Sequence, residues 1–500
     1  MSIVQPLSSV TTSSIQTRMT RQQREVVGIL SIGTFLEYFD LMLYVQMAVL
    51  LNDLFFPKTD AFTAKLLSGF AFCTTYAFRP IGALIFGYIG DKISRKNTVV
   101  ITTLLMATCC ICMGLLPTYA EWGLLSSILM LLCRAVQGMS SMGEKVGAEI
   151  FITESLKRPL VYKGVGFIQI ACSLGGTFAL IWCIVGTSEN ISWRWAFYFG
   201  ASVACIGSFA RIRLRETPEF ADAQTVLKND VEDIQNNVTT PKTEYLKTQG
   251  ITYEKLKDKV NLKLLPLEKL NKVTLLAYFL VCIVYPVMFY FVFVYCPDVM
   301  KHQFKADYTT IFKNDLMISA LDVLTLITLV YLSQRIHPLK ILKFLGILFF
   351  PLVIIVMLLF KNASSVSDIF VIQVLVFCFG IQDAPATPIF YKHFPVLKRF
   401  RAATYIYASS RIIMYLVITF GMIFFTEKYG YIGLLFLMIP IGVGFYWAIC
   451  HFQKLEVLSE MEEKKRQENN LIEGTKEYND EVSRVQEAAR KHAKKYYKVT

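Results

Sequence analysis

The chain has 500 residues, of which 54% are hydrophobic and only 18% are charged, and its formal net charge is +13. Soluble domains average about 45–50% apolar and about 25% charged residues, so the composition argues against a soluble protein and indicates many membrane spans. A nucleic-acid binder would also be positively charged, but so apolar a chain has little surface for one, and cationic cytoplasmic loops explain the charge better.

Apolar stretches recur along the chain in two groups of six. Spans 1 to 6 are predicted at 26–50, 67–89, 98–117, 122–150, 164–186 and 195–211, and spans 7 to 12 at 273–296, 314–333, 341–360, 369–390, 403–425 and 431–451. Lipid offers backbone groups no partners, so spans of this length must be helices. We therefore predict an all-α polytopic membrane protein with twelve transmembrane helices in two six-helix halves, 26–215 and 273–453.

Three polar segments flank these halves. They are a leader at 1–25, a charged central loop at 216–272 and a charged tail at 454–500. The leader lacks a small-residue cleavage site, so span 1 is predicted to be retained. Lys and Arg are concentrated in the short loops on one side, which predicts that both termini and the central loop are cytoplasmic. The tail holds only about two heptads, so we expect a solvated, partly helical segment.

Two halves joined by a long loop are typical of a transporter with its site between the halves. A polytopic receptor and a membrane-embedded enzyme are the alternatives. All twelve cysteines lie in apolar stretches, and we find no metal-ligand spacing, nucleophile–base pair or phosphate-binding loop. The sequence therefore predicts no enzyme, no catalytic residue, no metal and no cofactor.

A glycine-rich, charged turn follows span 2. It reads Gly87-Tyr-Ile-Gly90-Asp91-Lys92-Ile-Ser94-Arg95-Lys96. Glycines let helices approach closely, and a carboxylate is favourable at the positive N-terminus of a helix. The turn resembles the signature loop between spans 2 and 3 of the major facilitator superfamily, with Ser94 where that family usually has Gly. The resemblance implies an MFS fold and a gating loop made of Gly87, Gly90, Asp91, Lys92, Arg95 and Lys96.

Further segments resemble the metabolite:H+ symporter branch, to which proline/betaine, 2-oxoglutarate and citrate carriers belong. They are Gly33 to Asp40 in span 1, Arg134 to Gly138 and Gly143-Glu144 in span 4, and Leu214 to Phe220 after span 6. Two departures stand out. Met142 replaces the first Gly of a usual Gly-Gly-Glu, and 333–338, between spans 8 and 9, lacks the second copy of the Asp-Arg loop.

Ionisable residues within the spans follow helical spacing. Glu37, Asp40 and Tyr44 share one face of span 1, and Arg134, Gln137, Ser141, Glu144 and Ala148 form a stripe on span 4 that Lys145 adjoins. A charge at this depth costs several kcal/mol unless it faces a cavity or a partner. We predict Glu37, Asp40 and Glu144 as proton-coupling carboxylates. Permanent structural ion pairs are the alternative for Glu37, Asp40, Arg79 and Arg134.

Candidate substrate-binding residues combine both charges with aromatic rings. An arginine presents a planar fork that fits a carboxylate, and tyrosines can surround a quaternary ammonium, although such rings more often pack in the core. The predicted substrate-binding residues are Arg79, Arg134, Gln137, Lys145, Tyr44, Arg411 and Asp322. In span 10, Asp383 with Pro385 and Pro388 predicts a broken helix.

These features together predict a proton-coupled symporter in a bacterial inner membrane. The expected substrate is a small zwitterionic or carboxylate metabolite, such as proline, betaine or a dicarboxylate. The partners of the protein would be the substrate, the proton and the lipid bilayer. No nucleic acid is expected as a partner, and the chain would act as a monomer. Two alternatives stay open: a facilitator or exchanger without proton coupling, and a non-transporting membrane sensor with the same fold.

Overall fold

The computed structural model describes residues 18–56, 76–186, 192–212, 214–225 and 270–469. Within these ranges the chain is helical and contains no strand, which confirms the all-α prediction. Every predicted span has a helical counterpart there, and eight of the helices are long and apolar enough to cross a membrane. Four predicted segments lie wholly or mainly outside the described residues: 1–17 of the leader, 67–75 of span 2, 226–269 of the central loop and 470–500 of the tail.

The first half consists of six long helices. They are Arg21–Phe55, Arg79–Lys92, Arg95–Leu115, Leu124–Ser155, Leu160–Gly186 and Arg194–Ile212 for spans 1 to 6. Ser94 explains how the third helix begins, because its extended backbone lets its hydroxyl accept a hydrogen bond from the N–H of Asn97 at 3.0 Å. The residue that departs from the family pattern therefore has a structural role as the N-cap of span 3.

The second half contains two interrupted helices. Span 7 comprises Lys272–Cys282, Val284–Tyr290, a π-helical turn at Phe291–Tyr295 and Cys296–His302, and span 10 comprises Val366–Phe379 and Thr387–Lys392. Spans 8, 9, 11 and 12 are Tyr308–Leu332, Pro338–Lys361, Val396–Tyr429 and Leu435–Asn469. The predicted break in span 10 is confirmed at 380–386, where Pro385 cannot donate a backbone hydrogen bond.

The two halves meet along paired helices. Span 2 packs against span 11 and span 5 packs against span 8, while span 4 contacts spans 10 and 11. Small residues allow these approaches: a Cβ at Gly166 of span 5 would overlap the side chain of Val330 in span 8. We call the end of the bundle that carries the turn between spans 2 and 3 the loop end.

The last helix continues beyond the predicted end of the second half. It runs to Asn469, and its Glu456 contacts residues of both halves. Glu456 pairs with Arg158, in the turn between spans 4 and 5, at 2.5 Å, and with His393, after span 10, at 3.0 Å. These two contacts hold the start of the predicted tail against the loop end.

Candidate functional site

One cluster of buried polar residues lies inside the first half. Arg134 donates hydrogen bonds to Asp40 and to Gln137, each at 3.0 Å, and its guanidinium carbon lies 3.8 Å from the ring centre of Tyr44. The structure thus brings four predicted site residues together. All four come from spans 1 and 4, so this cluster does not depend on the second half.

Two further ion pairs hold the other predicted proton-coupling carboxylates. Glu37 lies 3.5 Å from Arg79 of span 2, and Glu144 lies 2.7 Å from Arg211 of span 6. Glu144 also accepts a hydrogen bond from Thr103 at 2.6 Å. Arg79 and Arg211 belong to the same half as the carboxylates they pair with, so rigid-body motion of that half preserves both pairs.

Lys145 points away from these pairs and towards the second half. Its ammonium lies 5.6, 5.4 and 5.6 Å from the ring centres of Tyr38, Tyr285 and Tyr407. Tyr38 is in span 1, Tyr285 in span 7 and Tyr407 in span 11, so three helices from both halves surround one cation. Within the described residues, no carboxylate forms an ion pair with Lys145.

Arg411 of span 11 shares two of these rings. Its guanidinium carbon lies 4.7 Å from the ring centre of Tyr285 and 4.5 Å from that of Tyr407. It is 2% exposed, and both terminal nitrogens are buried without a hydrogen-bond partner among the described residues. Buried donors of this kind are costly, which makes Arg411 a ready binding group for an anion.

A cavity lies between the halves beside this cation pair. Its walls come from spans 1, 4, 5, 7, 8 and 10, and include Lys145, Tyr38 and Tyr285. Two carboxylates, Asp322 of span 8 and Asp383 of the span 10 break, also line it. Asp322 accepts a hydrogen bond from Ser173 of span 5, and is thus tied to the first half. Of the predicted substrate-binding residues, Lys145 and Asp322 line this cavity, whereas Arg411 contacts the ring of Tyr285, which lines it.

The predicted gating loop joins the halves at the loop end. Asp91 accepts hydrogen bonds from Arg95 at 2.7 Å and from the backbone N–H groups of Phe400 and Arg401, near the start of span 11, at 3.0 and 2.9 Å. A Cβ at Gly87 would lie 2.9 Å from the Cα of Arg401, and one at Gly90 would lie 2.8 Å from the Phe400 ring. These two positions therefore need glycine.

A buried ion network continues from Arg95. Arg95 bonds Glu154 of span 4 at 3.2 Å and the carbonyl of Val396 at 2.7 Å, and Glu154 also pairs with Arg399 of span 11 at 3.1 Å. Lys92 and Lys96 are half-buried at the same turn, and Lys92 donates to Tyr88 at 3.1 Å. The loop end is therefore closed by charged groups from both halves.

Three important residues are absent from the predicted site: Arg211, Glu149 and Glu154. Arg211, at the end of predicted span 6, is fully buried against Glu144. Glu149 and Glu154 are buried in the last turns of span 4. The i, i+4 spacing from Lys145 to Glu149 was the signal that could have found Glu149.

The comparisons with known proteins identify the family. The family model of the Major Facilitator Superfamily matches residues 30–421. The chain belongs to the Major Facilitator Superfamily. This result confirms the family and the fold class predicted from the sequence, and membership of a superfamily of transporters supports the prediction that the chain is not an enzyme.

Curated relatives within this superfamily match part of the chain. The proline/betaine transporter of Salmonella typhimurium is 35% identical over 204 residues, which are 39% of this chain and 41% of the relative. The inner membrane metabolite transport protein YhjE of Escherichia coli is 35% identical over 199 residues, 38% of this chain and 45% of the relative. The chain thus spans less than half the length of these relatives. The names agree with the predicted resemblance to proline/betaine carriers.

Solved structures show the same fold across most of the chain. The proton:xylose symporter XylE, bound to 6-bromo-6-deoxy-D-glucose, superposes with a TM-score of 0.64 at 14% identity, covering 86% of this chain and 93% of XylE. A bacterial homologue of the iron transporter ferroportin gives a TM-score of 0.58 at 12% identity, covering 87% of this chain and 100% of that one. At these identities the likeness concerns the fold alone.

Proposed function

We propose that this chain is a secondary active transporter that carries a small carboxylate-bearing metabolite together with a proton. The two halves would rock around the cavity between them, alternately opening the loop end and the opposite end. The observation that carries the proposal is a pair of buried cations: Lys145 lines this cavity, and Arg411 lies against the ring of Tyr285 in the cavity wall. The closed loop end would then be one of the two alternating arrangements.

The charge of the site supports an anionic group on the substrate. Lys145 and Arg411 share the rings of Tyr285 and Tyr407, and neither is ion-paired to a carboxylate within the described residues. Arg411 in particular has two buried terminal nitrogens without a hydrogen-bond partner among the described residues, which is unfavourable, and a substrate carboxylate would supply its counter-ion. The two unpartnered nitrogens of Arg411 would donate to it as a planar fork.

The aromatic rings limit which chemical groups the substrate can carry besides its carboxylate. Tyr38, Tyr285 and Tyr407 could have surrounded a quaternary ammonium, but Lys145 and Arg411 already lie against these faces. This arrangement favours a dicarboxylate over betaine. A zwitterion such as proline remains compatible, because Asp322 and Asp383 in the cavity wall would face its amine.

The predicted location and orientation are part of the same proposal. We place the chain as a monomer in a bacterial inner membrane, with the loop end and both termini in the cytoplasm. The cationic loops support this orientation, and the name of the relative YhjE supports this membrane. The proposal assigns proton coupling to Glu37, Asp40 and Glu144, as the sequence predicted.

One observation favours a second candidate, a facilitator or exchanger without proton coupling. Glu37, Asp40 and Glu144 each pair with an arginine of their own half. Such pairs are not broken when the halves move as rigid bodies, so they give no reason for the carboxylates to change protonation state. Proton-driven accumulation by the wild type would separate the two candidates. Loss of this accumulation in Glu37→Gln, Asp40→Asn or Glu144→Gln would support proton coupling at that carboxylate.

The binding site is tested by transport in proteoliposomes. We would scan proline, betaine, 2-oxoglutarate and citrate, and then compare wild type with Lys145→Met and Arg411→Gln. A hydrogen bond to a charged group contributes about 1.5–3 kcal/mol, so each variant should raise KM by roughly 10- to 100-fold. Arg335→Gln is the matched control, because Arg335 also lies over a tyrosine ring, at 4.9 Å, but at an exposed turn. An unchanged KM in both cavity variants would contradict the proposal.

A further inference from the structure

Glu149 is a buried carboxylate that contacts the opposite half of the protein. It lies in span 4, one turn beyond Lys145, and is 1% exposed. The hydroxyl of Tyr391, in the last part of span 10, donates a hydrogen bond to its Oε2 at 2.7 Å. Glu37, Asp40 and Glu144 differ in this respect, because their arginine partners belong to the first half.

The groups around Glu149 come from four helices. Lys145 of its own helix is the nearby cation, and Gln169 of span 5 points its amide nitrogen at Oε1 from 3.5 Å. Span 10 contributes Tyr391 and Asp383, and Tyr278 of span 7 donates to Tyr391 at 3.4 Å. No salt bridge joins Glu149 to a cation in the described part of the chain.

Glu149 also lies between the cavity and the closed loop end. Lys145, one turn before it, and Gln169, which bonds it, both line the cavity. Glu154, five residues later on the same helix, belongs to the ion network at the loop end. A second bond between the halves, from Gln169 to Thr387 at 2.9 Å, lies beside the bond from Tyr391. Opening of the loop end must separate both contacts.

We propose that Glu149 takes up and releases the coupled proton, and that its deprotonated form, bonded to Tyr391, holds the halves together at the loop end. This inference rests on the proposed function and adds a residue to it. A proton entering through the cavity would bond to a carboxylate oxygen of Glu149 and convert the anion to a neutral acid. Hydrogen bonds to an ionised acceptor are roughly twice as strong as neutral ones, so the contact with Tyr391 would weaken.

The rest of the cycle follows from that weakening. With the contact between Glu149 and Tyr391 loosened, the halves separate at the loop end and water reaches the acid. The proton then passes to water, and the carboxylate that remains is again ready to accept a bond from Tyr391. A carboxylate whose partner lies in the other half has different surroundings in the two arrangements, which is what coupling requires.

The test uses the full chain in proteoliposomes, with the labelled solute that wild type transports among proline, betaine, 2-oxoglutarate and citrate. Accumulation under an inward proton gradient is compared with solute exchange in the absence of a gradient. At zero membrane potential and one proton per solute, a gradient of about one pH unit supports roughly tenfold accumulation. The variants are Glu149→Gln and Tyr391→Phe, and Glu121→Gln, at an exposed helix cap outside the site, is the control.

The expected result is that Glu149→Gln keeps exchange but loses accumulation and solute-driven proton movement, while Tyr391→Phe keeps proton movement. Accumulation and proton movement at wild-type levels in Glu149→Gln would overturn the inference and leave the proposed function intact. If Glu149→Gln is inactive in both assays, Glu149→Asp decides: restored coupling supports the inference, and a folded, solute-binding but uncoupled Asp variant overturns it. Wild-type solute entry without proton movement would overturn both the inference and the proton coupling of the proposed function, whereas no entry of any solute would overturn the proposed function itself.

Discussion

Asp91 of the first half is hydrogen-bonded to span 11 of the second half, so its substitution should change the conformation of the loop end. Its two carboxylate oxygens each accept a backbone hydrogen bond from span 11, Oδ1 from Phe400 at 3.0 Å and Oδ2 from Arg401 at 2.9 Å. Asparagine has one acceptor oxygen and would turn an NH₂ donor towards the other N–H group. We therefore expect Asp91→Asn to weaken closure of the loop end and to favour the arrangement that is open there.

The size of this effect follows from the bonds that are lost. Each hydrogen bond to a charged acceptor contributes about 1.5–3 kcal/mol, and the substitution removes one such bond from Asp91 and makes the other neutral. A net loss of about 2 kcal/mol would shift the ratio of closed to open molecules by about 30-fold. The bond from Arg95 lies within the first half, so its weakening does not enter this estimate.

Distances between spin labels would measure the shift. We would place labels at Lys340, at the start of span 9, and at Asp222, at the start of the central loop, because both are exposed. The segment around Asp222 is bonded to the first half, since Gln224 donates to the carbonyl of Lys92 at 3.4 Å. The native cysteines would first be replaced in a background that retains transport. Asp307→Asn is the matched control: Asp307 also accepts from a backbone N–H, that of Thr310 at 3.2 Å, at the start of span 8. This contact lies within one half.

The expected result is a longer label distance in Asp91→Asn and an unchanged one in Asp307→Asn. A closed population in Asp91→Asn equal to that of wild type would refute the reasoning, because the bonds between Asp91 and span 11 would then contribute nothing to closure. Equal lengthening in both variants would also contradict it, since the change would then reflect general loosening.

Three further predictions concern stability and packing. Asp40→Asn should lower the free energy of unfolding by about 3–5 kcal/mol, because it leaves Arg134 buried without its ion pair, and Asp40→Asn with Arg134→Met should recover part of this loss, as measured by thermal unfolding in detergent. Gly87→Ala should hold the loop end open in the spin-label experiment, because its Cβ would meet the backbone of Arg401. The hydrogen bonds from Thr310 hold the pKa of the Asp307 carboxyl below its usual range. The Asp307 carboxylate therefore stabilises the fold at neutral pH, and this stabilisation is lost as the pH falls through the lowered pKa. In Asp307→Ala the melting temperature should therefore fall less steeply towards acid pH than in the wild type.

Much of the fold and of the gating loop was predictable because both depend on local sequence. Apolar length determines a span, Asp383 with Pro385 and Pro388 indicated the break in span 10, and the glycines of the turn at 87–96 require close approach wherever the partner lies. The identity of that partner was not predictable. The sequence places Gly87 and Asp91 at a helix end, but only packing shows that the start of span 11 meets them.

Glu144 and Lys145 show why the site itself was harder to predict. They are neighbours in sequence, but successive residues on a helix point about 100° apart. Glu144 therefore meets Arg211 inside the first half, and Lys145 meets the tyrosines at the cavity. Helical spacing predicts the face of the helix on which a residue lies. It does not predict which other helix packs against that face. Arg211 and Glu149 were accordingly missed.

Polar contacts within one half and polar contacts between the halves have different consequences. Contacts within a half stabilise the fold, whereas contacts between the halves affect the conformation. Rigid-body rocking would leave the pair of Asp40 with Arg134 unchanged, so the energy of that pair would stabilise the fold and favour neither arrangement. The contacts of Asp91 with span 11, of Glu154 with Arg399 and of Glu149 with Tyr391 join the two halves, so the proposed opening of the loop end would break them. Their energy would therefore contribute to the balance between the two proposed arrangements. Among these acceptors, Glu149 lies next to the cavity, where substrate and proton would arrive together.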